Sequence, residues 1–106
     1  MNIVIIKSVI GEEILADLIS DSHPVVSGAI TVSRPRVFQF QQDHEGRMVP
    51  ALVPWIMLDP DNTAVPINND YIAAHIPAPD KVVKSYLTAV SSLDLTASNV
   101  SKIALS

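Results

Sequence analysis

The sequence predicts a mainly β domain closed by one C-terminal helix. Three observations carry that expectation. Short β-branched runs fill the chain up to about residue 76, turn-forming residues separate them, and the apolar period lengthens near residue 80. At 106 residues, with hydrophobic residues at 48%, the chain supplies one core and reads as a single domain, 1–106.

Ile3 to Val9 is β-branched except at Lys7 and Ser8, which predicts a first strand. Ile10-Gly11-Glu12 reads as a tight turn. Glu13 to Ile19 fits either a hairpin return strand or a helix, because Ile14 and Leu18, like Leu15 and Ile19, are four apart. Ser20 to Pro24 ends that element, and Pro24 to Gly28 is a short connection.

Ala29 to Gln42 is the longest strand-like stretch. Pro35 lacks a donor and marks an edge, a bulge or a bend within it. Asp43-His44-Glu45-Gly46 is the clearest turn. Met48 to Leu58 reads as a further apolar strand, and Pro50 and Pro54 keep it from pairing regularly along both edges. After the Asp59 to Asn62 turn, Ala64 to Ile67 predicts a short strand, Asn68 to Asp70 a turn, and Tyr71 to Ile76 a last strand. Pro77 and Pro79 stop it, and Asp80 is placed to cap a helix over about 80–94. Val83, Tyr86, Leu87 and Val90 form its apolar stripe, with Lys84, Ser85 and Ser91 facing away. The tail 96–106 either adds a weak strand or frays.

Composition excludes several functions. Lys and Arg total 7 against 11 Asp and Glu, a net charge of −4, which argues against a broad nucleic-acid footprint but not against a small basic site. The chain has no cysteine, hence no disulfide, thiol nucleophile or thiolate metal site, and this fits a reducing, cytoplasmic compartment. Met1 to Ile6 lacks a basic leader region, and no run approaches the roughly 20 apolar residues of a membrane helix. His23, His44 and His75 show no metal-ligand spacing, and no cofactor is expected. Three glycines cannot build a phosphate loop, and no serine sits in a nucleophile-elbow pattern, so the expectation is a non-enzyme.

Three stretches carry a family resemblance. The run Ile3 to Ala16, the run Leu52-Val53-Pro54-Trp55-Ile56-Met57 followed by Val65-Pro66-Ile67, and the passage of Tyr71 to Ile76 through prolines into a helix together cover about residues 3–95. They resemble the Sm-like (LSm) proteins of marine T4-like phages. The resemblance implies an SH3-like, five-stranded bent barrel over about 3–76 followed by the C-terminal helix. It also implies a homo-oligomeric closed ring of roughly five to seven subunits joined by edge strands. Single-stranded RNA near the ring pore and the cytoplasm of an infected bacterial host follow from it too. The family's uridine-binding residues do not transfer. Asp21-Ser22-His23-Pro24 lacks the Met-Asn pair, and neither Asp59 to Thr63 nor Asn68 to Asp70 carries the Arg-Gly or Lys-Gly signature.

The polar candidates for RNA contact are Arg34, Arg36, Asn68 and Asn69. Arg34 and Arg36 share a parity with Phe38 and Phe40, so an Arg-plus-aromatic face could hold phosphates and stack bases. The competing assignment pairs the arginines with acids across a subunit contact, buries the phenylalanines in the core, and leaves the asparagines to a turn. Trp55 reads as core or interface, and Glu12 and Glu13 as solvated. Two functions stand at this level: an RNA-binding ring, or a phage structural or protein-interaction module with no nucleic-acid role.

Overall fold

A computed structural model describes residues 1–20 and 28–95 of the chain. The expectations for 21–27, including His23, and for the tail 96–106 lie outside the described residues.

The described residues form six strands and one α-helix: β1 Ile3–Ser8, β2 Glu13–Ser20, β3 Ala29–Gln42, β4 Met48–Pro54, β5 Val65–Asn68, β6 Ile72–Pro77 and α1 Asp80–Leu95. All pairings are antiparallel. The order is β4-β3-β2-β1-β6, with β5 on β3. The expected five-stranded barrel is therefore corrected: among the described residues there are six strands, and the sheet is not closed into a barrel. β4 and β6 end the path without pairing to each other. The reason lies in β3. Its first half takes β5 along one edge at Ala29–Val32, and its second half takes β4 there at Arg36–Gln42. The strand is shared out among neighbours, and no partner remains to carry the ladder round to β6.

The Glu13–Ile19 ambiguity resolves as a strand. Gly11, at φ 96°, donates to the Ser8 carbonyl, while Ser8 N–H donates to Glu12, which reverses the chain and puts Ile6 opposite Ile14. Met48 to Leu58 is not one strand. β4 stops at Pro54, and Trp55 N–H donates to the Pro35 carbonyl at 3.0 Å as the chain turns away. Asn68 to Asp70 is tighter than a plain turn. Asn68 Oδ1 accepts from Asp70 N–H at 2.8 Å and caps a 3₁₀ turn at Asn69–Tyr71. Asp80 does not cap α1. The Pro79 carbonyl accepts from Val83 N–H at 2.9 Å, so Asp80 is the first helical residue, where its charge suits the helix dipole.

The sheet is apolar on both faces. Val4, Ile6, Ile14, Ala16, Ile30, Val32, Val65 and Ile67 bury one side, with Trp55, Tyr71 and Ile72 packed against them. Ile3 and Leu15 face the other side, where α1 covers them with Tyr86 and Val90, flanked by Val83 and Leu87. The alternation along β1 and β2 thus feeds two cores. No described helix is long and apolar enough to cross a membrane.

Candidate interaction edge

β3 carries a bulge at the predicted place. Leu15 faces Arg36 while Asp17 faces Ser33, so Arg34 and Pro35 together oppose one residue of β2. Arg34 takes φ 49°, and its N–H donates to the Asn62 carbonyl at 2.8 Å. The bulge resets the alternation. Before it, Ile30 and Val32 face the first core; after it, Val37 stands opposite Ile14 of that core.

Arg36 is fully buried. Its Nη1 donates to the Pro60 carbonyl at 2.7 Å and its Nη2 to Asp61 Oδ1 at 3.2 Å. Burial pushes its guanidinium below the usual arginine range, and Asp61 opposes that shift. This is a strut holding the 59–62 loop, not a surface cation. Arg34 is half-buried beside it, with its backbone committed to Asn62. Asn68 and Asn69 are exposed at the far end of the β3–β5 pair, where Asn69 N–H donates to the Gly28 carbonyl. Ala29, not Arg34, faces Asn68, so the arginines and asparagines stand roughly 15 Å apart along the strand. The four candidates do not converge on one site.

The phenylalanines do not fill the core. Beyond Val37, β3 pairs only with β4, and Phe38 and Phe40 stack edge to face on this two-stranded ribbon with centroids 5.4 Å apart. Both are exposed, as is Met48 at the ribbon's end. Trp55 is half-buried, packs on the first core and lies 6.1 Å from Tyr71. Glu12 is not merely solvated: it accepts from the Tyr71 hydroxyl, and that bond holds the phenol above its usual range. Among the described residues no group of three or more His, Asp or Glu could hold a metal ion.

The sheet's edges differ in chemistry. Proline cannot donate to a ladder, so in a strand paired on one side its nitrogen faces away from the partner. Pro50 and Pro54 therefore blunt the outer edge of β4, and Pro66 that of β5. β6 has no proline until its last residue, Pro77. Among the described residues it pairs with β1 alone, and five of its six residues are exposed. The Ala78 N–H donates to the Ile3 carbonyl at 2.9 Å. Antiparallel alternation then turns the backbone groups of Ile76 and Ala74 toward Ile5 and Lys7, and those of His75 toward the open edge. Beside this edge lies a shallow groove lined by Ile5, Lys7, Glu13, Ala74, His75 and Ile76, with Lys7 and Glu13 joined at 3.3 Å. The sequence carries one signal for this edge: Ile72 to Ile76 lacks the prolines that mark β4 and β5.

No family model matches the chain, and no curated protein matches it. The Sm-like ring is corrected on the fold itself. The closed barrel it requires is absent, and head-to-tail pairing of β4 on β6 would meet the missing donors of Pro50 and Pro54.

Proposed function

We propose that this chain is a non-catalytic protein-interaction module that receives an extended polypeptide along the outer edge of β6. The observation that carries this reading is the contrast between edges: β4 and β5 are blunted by proline, and β6 is left open beside an apolar groove. Backbone bonds from His75 supply affinity, and Ile5, Ala74 and Ile76 supply a surface for alternate side chains. The burial of Arg36 and the separation of the arginines from the asparagines support a protein partner over RNA. The cysteine-free composition supports a reducing cytoplasmic setting.

A selection of displayed random peptides against the dilute protein tests it. Peptides with alternating apolar residues are expected to be enriched and to lose binding to His75→Pro, which removes an outward donor and leaves the β1 ladder intact. No enrichment, or peptides indifferent to His75→Pro, overturns the reading.

A further inference from the structure

We infer that the strand added to β6 is β6 of a second copy, giving a two-fold dimer with His75 facing His75 across the axis. The inference rests on the strand-addition reading and names its partner.

Three observations converge on it. First, β4 and β5 carry prolines within their outer edges, whereas β6 carries one only at its last residue, so among the described residues β6 offers a proline-free edge from Ile72 to Ile76 that a second β6 can meet. Second, the hydrogen-bond phase fits a two-fold. The Ala78 to Ile3 bond turns His75 outward, and an antiparallel pair centred on an outward residue closes two N–H to carbonyl bonds at its centre. That register sets Ala73, where the β1–β6 register shifts, opposite Pro77, so the regular ladder ends on both sides at these residues. The missing donor of Pro77 thus falls at the rim of the pairing, not at its centre.

Third, the side chains complement themselves. The same register sets Ala74 opposite Ile76, small against large, on the face that both share with Ile5 in the groove. Ile76 is 53% exposed in the single chain and gains cover from the other copy. β6 carries no Asp, Glu, Lys or Arg, so no like charges meet within the paired strands, and the two charges of the groove, Lys7 and Glu13, already pair with each other. A two-fold contact is self-complementary by construction, and this strand meets that condition. The edge is short, so the dimer is weak and forms at high concentration.

Sedimentation velocity of the full chain, over a series reaching about 1 mM, tests the proposal. The expected mass rises from one chain to two and no further. His75→Pro weakens association about tenfold or more by deleting both central bonds. His75→Lys keeps the backbone and weakens it about threefold at low salt, with recovery as salt screens the facing charges. A urea melt of each variant shows that the fold is retained. A mass that stays at one chain, or a dimer as strong in His75→Lys as in the parent, overturns the inference. A monomer that still enriches peptides sensitive to His75→Pro removes the second copy and keeps strand addition; failure of both removes the reading beneath it.

Discussion

The hydroxyl of Tyr86 lies 3.0 Å from the carbonyl oxygen of Arg34 and 3.0 Å from that of Ser33, so one proton from the helix is shared between two acceptors at the β3 bulge. Tyr86 is 2% exposed. Tyr86→Phe is expected to cost about 1–2 kcal/mol, because two buried carbonyls lose a donor and only a hydroxyl leaves the core. Urea denaturation of both proteins at neutral pH measures it.

The same phenol predicts an alkaline limit. Burial holds Tyr86 above its ordinary pKa, with Arg36 pulling the other way. A folded value above the unfolded one means that the phenol's contribution is intact below about pH 10 and is lost as pH rises through the folded value. Tyr71 shifts in the same direction, held by Glu12. Stability is thus expected to fall above about pH 10 in the parent and less steeply in Tyr86→Phe. Urea midpoints across an alkaline series give the slopes, and equal slopes contradict the assignment.

Arg36→Ala is expected to cost about 2–3 kcal/mol, since it empties a buried site and leaves the Pro60 carbonyl without its donor. Asp61→Ala is expected to cost about 1 kcal/mol, because that carboxylate is half in solvent and Pro60 still holds the guanidinium. Thermal melts rank the two, and an inverted order would show that the ion pair, not the carbonyl, anchors the loop. Filter binding with U-rich and A-rich single strands is expected to show no specific retention at low salt; retention that falls with salt and is lost in Arg34→Ala would put an RNA partner back in play.

Across α1, Val90→Ala is expected to cost about 2 kcal/mol, Leu87→Ala about 1–2 kcal/mol, and Ser91→Ala within about 0.5 kcal/mol of zero. Val90 is buried, Leu87 half-buried and Ser91 exposed. Phe40→Ser on the ribbon is expected to stay within about 1 kcal/mol, because Phe40 is 58% exposed. Chemical denaturation reads all four, and a large loss for Phe40→Ser would mean that the ribbon packs on something in solution.

What was legible in the sequence is what neighbouring residues decide. Gly11 needed a positive φ and the chain turned there; Pro35 had no donor and the strand bulged; the Val83-Tyr86-Leu87-Val90 stripe docked. What was not legible depends on distant edges. Pro50 and Pro54 announced a strand paired on one side, but whether the far edge closes depends on β5 occupying β3, 33 to 39 residues away in sequence. The parity argument that grouped Arg34 with Phe40 held only without the bulge that Pro35 itself signalled. That Arg36 meets its acid within its own chain was not legible, because the loop that buries it, at Pro60 and Asp61, is not its sequence neighbour.

The ladder between β2 and β3 would keep its register without Arg34, the surplus residue of the bulge; what that residue supplies is attachment, its N–H for Asn62 and its carbonyl for Tyr86. This sets an order of events. The acceptors that the helix needs exist only once β2 and β3 have paired, and Tyr86 must then close a loop of about fifty residues to reach them. Docking of Tyr86 on the bulge is therefore expected to follow β2–β3 pairing. Weakening the Tyr86 contact should hasten unfolding and leave the folding rate nearly unchanged. The bulge thus ties the arrival of the helix to the prior pairing of two strands.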